Sequence, residues 1–200
     1  MPSRRTGQHG AEHAERGTVF EGRHIIAGVR TLEALAVAAR SPVEMTYLLF
    51  GNTLNIADLI ASLRDSGKLV LVNLDLIAGL SRDSCNVEYL ARCGAAGIVS
   101  THQEILRTAK NQGLITVLRT FALDSYAAEA GLRAIQNCQP DAVEILPAVV
   151  APRVAVKIRQ AHPGLRIIAG GLVANLKEVE WLLSEGIDAV SVSDPQFWIA

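Results

Sequence analysis

Eight short apolar runs constrain this chain more than any other feature. They are HIIAGV (24–29), MTYLLF (45–50), LVLVNL (69–74), AAGIVS (95–100), LITVL (114–118), DAVEIL (141–146), RIIAG (166–170) and DAVSVS (188–193). Each has the length of a β-strand, and they recur about every two dozen residues. They are near-continuously apolar, as in strands of a parallel sheet buried on both faces. The gaps between them read as helices. Asn55 precedes Ile56, Leu59, Ile60 and Leu63, which share one helical face, and Gly67 ends that segment. Thr101 with Glu104 forms a capping box closed by Gly113, and Asn175 with Glu178 is a second N-cap pair stopped by Gly186. Asp124 or Ser125 opens a helix carrying Ala127, Ala130, Ala134 and Cys138, and Pro152 suits the first turn of one running to about His162. Repeated strand–helix units predict a single-domain α/β fold, a compact (β/α)8 barrel of the TIM type, below the typical ~250 residues. The competing architecture is an open doubly wound sheet, but no G-x-G-x-x-G follows the first strand.

Composition narrows the function classes. Of 200 residues, 50% are hydrophobic and 20% charged, which is not a disordered composition. No apolar run approaches the ~18 residues of a spanning helix, and no apolar stretch of signal-peptide type follows Arg4 and Arg5. A cytoplasmic protein without a membrane partner is expected. Nineteen basic against 20 acidic residues give a net charge of −1, and aromatics are 4%. That argues against an overall basic footprint and against a base-stacking platform. Cys85, Cys93 and Cys138 show no metal-ligand spacing and read as reduced thiols. Residues 1–22, charged and poor in apolar side chains, read as a disordered tail ahead of a barrel domain over 23–200. His9 and His13 stand at i, i+4 in that tail, but an unfolded segment does not preset ligand geometry, and no metal site is expected.

The site of such a barrel forms at the C-terminal ends of its strands. The polar residues there are Arg30, Asn73, Asp75, Ser100, Thr101, His102, Arg119, Glu144, Ser191, Ser193 and Asp194, with Gly170 and Gly171 after the seventh run. Helices cover the outside, so large apolar residues on one parity face outward. This turns Asn73 and Asp75, Glu144, and Ser191 and Ser193 toward the barrel axis. Arg119 shares parity with Ile115 and Val117, and the same rule points it outward, although its length could bring it to the mouth. Gly-Gly after the seventh strand and serines at the end of the eighth suit an anion held by backbone N–H groups and hydroxyls. Tight turns and serines filling a narrow barrel would explain the same residues. Asp75 and Glu144 could serve as an acid–base pair, as metal ligands, or as acceptors for the hydroxyls of a polyol. No lysine stands at a strand end for Schiff-base chemistry; Lys68 precedes the third strand. The set is better equipped to hold an anion and its hydroxyls than to transform them, and no enzymatic activity is expected.

The stretches DLIAGL (75–80), GIVST (97–101), LRTFALDS (118–125), PDAVEILP (140–147), IIAGGL (167–172) and VSVSDPQFW (190–198) resemble, in order and spacing, the glycerol-3-phosphate-responsive antiterminators. The resemblance runs from about Ile25 to Trp198. It implies a compact barrel that binds glycerol 3-phosphate and promotes read-through of terminators in glycerol-utilisation mRNA leaders. It further implies phosphate contacts from Gly170, Gly171, Ser191 and Ser193. Ligand hydroxyl or charge contacts would come from Asn73, Asp75, Ser100, Thr101, Arg119 and Glu144, with Arg119 alternatively in a structural ion pair. No cofactor beyond the effector is implied; the partners are the effector and a leader mRNA, and a homo-oligomer stays open. The RNA surface would draw on Arg153 and Lys157, with Arg159 and Arg166 nearby in sequence, or on Arg4, Arg5 and Arg16 in the tail; a solvated helix face explains the helical ones equally well. Four departures bear on the ligand: Asn73 replaces a usual histidine, His102 a usual arginine, Val192 a usual threonine, and Pro147–Pro152 carries an altered turn. The alternative function is a barrel enzyme acting on a small phosphorylated substrate.

Overall fold

The computed structural model describes residues 18–22 and 24–199. Its strands are β1 (Ile25–Val29), β2 (Met45–Leu48), β3 (Leu69–Asn73), β4 (Gly97–Ser100), β5 (Ile115–Phe121), β6 (Ala142–Leu146), β7 (Arg166–Gly170) and β8 (Ala189–Val192). All pair in parallel with their chain neighbours, and β8 returns to β1 through Ser191 opposite Ile26. The sheet is a closed barrel, so no edge remains and the doubly wound alternative falls.

Seven α-helices cover it: α1 (Leu32–Arg40), α2 (Ile56–Asp65), α3 (Ser84–Arg92), α4 (Gln103–Asn111), α5 (Ser125–Cys138), α6 (Ala151–Ala161) and α7 (Leu176–Ser184). After β8 a 3-10 turn, Pro195–Phe197, takes the place of an eighth helix. The Trp198 indole beside it is fully buried and donates to the Val192 carbonyl at 3.1 Å. Among the described residues no helix is long and apolar enough to cross a membrane. The three cysteines are free, and burial pushes the Cys138 thiol up to about 11.

The helix signals act as the sequence predicts in most places. Asp124 and Asn175 cap α5 and α7 by accepting from the Ala127 and Glu178 N–H groups, and α6 carries Pro152 in its first turn. In α2, Ile56, Leu59, Ile60 and Leu63 are buried, each worth about 1.5–3 kcal/mol over exposure. Two caps differ. Asn55 turns its carboxamide oxygen to the Asn52 N–H rather than into α2. Thr101 does not cap α4, which starts after His102, because its hydroxyl is taken by Asp75.

Apolar side chains divide between two layers. Outside the sheet, Val72, Val143, Ile145, Val190 and Val192 meet the helices. Inside, Ile26, Met45, Tyr47, Leu71, Val99, Ile168 and Ala189 fill the barrel. The parity expected for β3, β6 and β8 holds. That for β5 does not: Ile115 and Val117 pack in the interior, with Leu118 in the outer layer. Arg119 therefore follows them to the axis. On β5, Ile115 and Val117 fill the barrel, and the outer parity carries Thr116 and Thr120 on either side of Leu118. Thr116 is locked to Asp141 by paired 2.8 Å bonds, and Thr120 packs against the missing side chain of Gly131 on α5.

The N-terminal end of the barrel is stoppered. A 3-10 turn, Thr18–Phe20, buries Phe20 among the interior residues, and Glu21 pairs with Arg166 at 2.7 Å. Residues 18–22 thus pack where the sequence led us to expect tail, because one aromatic ring finds the open end of the apolar interior. His9, His13, Arg4, Arg5 and Arg16 lie outside the described residues.

Candidate functional site

At the opposite end, a cavity of about 280 Å³ opens between the ends of β5 to β8 and the start of the chain's circuit at β1 and β2. Glu144 stands at its floor, fully buried. One oxygen accepts from Arg119 Nε at 2.5 Å, across the β5–β6 register that sets these two residues opposite each other. The other accepts from Ser191 Oγ at 2.5 Å. The interior site for this carboxylate exists because β7 ends in glycine. A Cβ on Gly170 would run into Ser191 Oγ and lie 2.8 Å from Glu144 Oε1.

Tyr47 completes the floor. It is fully buried, and its hydroxyl has no hydrogen-bond partner among the described residues. An unmade bond of this kind costs about 1–3 kcal/mol. Burial, and then the nearby Glu144 charge, push its ionisation well above the ordinary phenol range, with Arg119 acting in the opposite direction. The phenol is therefore a neutral O–H group.

The rim has a different character. Arg30, just past β1, lines the cavity and donates to Ser193 Oγ at 3.0 Å; among the described residues it has no carboxylate partner. Facing it is the turn after β7. Gly171 has φ +78°, which suits glycine, and Leu172 has φ +61° while 86% exposed. For leucine that conformation costs about 1–2 kcal/mol, and such strain gathers at ligand sites. The Gly171 carbonyl accepts from Ala148, and the Ala174 N–H donates to Glu178. The N–H groups of Leu172 and Val173 between them find no acceptor among the described residues. Asp194 at the rim is turned onto Gln196, accepting from its N–H at 3.0 Å and its carboxamide at 2.8 Å.

Of the residues singled out in the sequence, Arg30, Arg119, Glu144, Gly171, Ser191, Ser193 and Asp194 line this cavity, and Gly170 supports its floor. Asn73, Asp75, Ser100 and Thr101 form a second cluster at the ends of β3 and β4. There Asp75 accepts from Ser100 Oγ (2.9 Å), Thr101 N (2.7 Å), Thr101 Oγ1 (3.0 Å) and Arg82 Nε (3.2 Å). Asn73 caps the following turn through the Asp75 N–H at 3.1 Å. Burial alone would raise the Asp75 carboxyl; the four donors outweigh it and hold it below its usual value. Arg153 and Lys157 are exposed on α6, while Arg159 and Arg166 are bound to Asp188 at 3.0 and 3.2 Å. The acid thus draws one cation of α6 and one of β7 into a structural clamp.

Among the polar residues of the cavity, Tyr47 escaped the sequence reading: it sits inside an apolar run, where an aromatic ring reads as core. Arg30 was named there at a strand end, but that it has no carboxylate partner among the described residues is a tertiary property.

The family model described as "Glycerol-3-phosphate responsive antiterminator" matches residues 25–198. Among solved structures, a glycerol uptake operon antiterminator-related protein of Thermotoga maritima is 34% identical, with a TM-score of 0.80 over 88% of this chain and 98% of that one. The glycerol uptake operon antiterminator regulatory protein of Listeria monocytogenes is 27% identical, with a TM-score of 0.84 over 90% and 96%. An uncharacterized protein of Escherichia coli (strain K12), YgcP, is 29% identical over 87% of this chain and 91% of its own length.

Proposed function

The chain belongs to the glycerol-3-phosphate responsive antiterminator family, and on that premise we propose that it is a cytoplasmic sensor of glycerol 3-phosphate that promotes read-through in the mRNA leaders of glycerol-utilisation operons. The observation that carries the reading is the division of the cavity. Its rim offers an arginine, a serine and two N–H groups that find no carboxylate and no backbone acceptor among the described residues, which suit a phosphate. Its floor offers an internally neutralised ion pair and a phenol, which suit hydroxyls. A ligand with one phosphate and two hydroxyls matches both parts.

The reading is of a binder rather than an enzyme. Glu144 is held by Arg119 and Ser191 together, and among the described residues neither lysine, histidine nor cysteine lines the cavity. No cofactor is called for, since the effector is the only small molecule the regulation requires. Titration calorimetry with sn-glycerol 3-phosphate, glycerol and inorganic phosphate tests this directly. The phosphorylated triol should bind tighter than either control and be recovered unchanged. Ligand consumed during the titration would favour the enzyme on a small phosphorylated substrate; no preference over phosphate would overturn the sensor.

For the RNA, Arg153 and Lys157 on the exposed face of α6 are the proposed phosphate contacts. A gel shift on a glycerol-operon leader, with and without effector, should show ligand-dependent retardation. Arg153→Ala with Lys157→Ala should weaken it evenly across sequences and flatten its salt dependence by about 1–2 in log–log slope. Retardation unchanged in the double variant would move the RNA surface elsewhere.

A further inference from the structure

We propose that the Tyr47 hydroxyl is a ligand contact that fixes orientation and specificity: the effector enters with its terminal hydroxyl toward Tyr47 and its phosphate at the Arg30 rim. The inference rests on the proposed binding of a small polyol phosphate and deepens it. Tyr47 is fully buried and lines the cavity, and its hydroxyl has no hydrogen-bond partner among the described residues. Its ring is packed with Leu71 and Met45 in the barrel interior, so the hydroxyl does not reach water by swinging out. A buried O–H without a partner is costly unless a ligand supplies one.

The charges set the direction. At the floor, Arg119 and Glu144 neutralise each other, and Glu144 also holds Ser191. A phosphate dianion placed there would face a buried carboxylate. At the rim, Arg30 has only the Ser193 hydroxyl as a partner among the described residues. A neutral hydroxyl therefore belongs at the floor and the anion at the rim. At the floor the phenol can donate to the ligand oxygen or accept its proton, whichever the Arg119–Glu144–Ser191 group leaves open.

Tyr47→Phe removes the hydroxyl alone. Wild type and variant are titrated with three probes: sn-glycerol 3-phosphate, propane-1,2-diol 1-phosphate, which lacks the terminal hydroxyl, and inorganic phosphate. We expect the variant to bind sn-glycerol 3-phosphate about 3- to 10-fold more weakly, with the other two probes unchanged. The variant's melting temperature without ligand should equal or exceed that of the wild type, since an unpaired polar atom is gone; a purely structural hydroxyl would lower it. Equal binding of sn-glycerol 3-phosphate by both proteins would overturn the role of Tyr47 and leave the sensor reading standing. Wild-type binding of sn-glycerol 3-phosphate no tighter than of inorganic phosphate would overturn both.

Discussion

Two polar clusters crown the same end of the barrel, and they are built on opposite terms. At β3 and β4, Asp75 spends its acceptor capacity on Ser100, Thr101 and Arg82, and Asn73 closes onto the next turn. At β5 to β8, the groups surround a cavity of about 280 Å³ and, among the described residues, leave Tyr47 without a partner and Arg30 without a carboxylate. Residue type and strand-end position are alike in both. What separates a lock from a receptor is whether the polar atoms are already satisfied within the chain.

The sharpest way to break that contrast is Glu144→Ala. It leaves Arg119, 11% exposed, without its partner, and should cost about 3–5 kcal/mol of folding free energy together with all selective binding. Urea unfolding and calorimetry read the two losses; a stable variant that still binds would make Glu144 a bystander. Arg30→Ala comes next. It should cost sn-glycerol 3-phosphate about 1.5–3 kcal/mol of binding, the range for hydrogen bonds to charged groups. Folding stability should move by no more than about 0.5 kcal/mol, as at other surface sites. If stability falls and affinity does not, Arg30 belongs with the locks.

Asp75→Asn should do the reverse at smaller cost. Stability should drop by about 1–2 kcal/mol at pH 7, with ligand affinity unchanged. The sign of its pH dependence follows from a folded-state carboxyl held below its unfolded value of about 3.9. The stability it confers is complete above about pH 4 and is lost as pH falls through the lower folded value. The gap between wild type and variant should therefore close in acid. A gap that persists well below pH 4, or a ligand affinity that falls with the substitution, would place Asp75 on the receptor side.

The architecture was legible because it is written in periodicity. Runs such as DAVSVS and caps such as Asn175–Glu178 depend on neighbours in the chain, and the closed barrel follows from repeating them. The rule that large apolar residues face outward carried β3, β6 and β8 and failed on β5, where Ile115 and Val117 fill the interior. Both layers of a barrel are apolar, so parity alone does not say which is which. The site was legible in part for a related reason. Thr101 reads as a cap until Asp75, 26 residues away in sequence, claims its hydroxyl. Tyr47 reads as core until its oxygen is found without a partner. Spacing names the residues at a mouth; only the folded chain says which of their bonds are unspent.

With Phe20 lodged in the far end and every strand paired on both sides, the barrel is a cup, not a conduit. A molecule that enters must leave by the same opening. On the proposed reading, any surface change that a bound ligand makes is therefore made at the lip, where the exposed Leu172 and the Arg30 side chain stand.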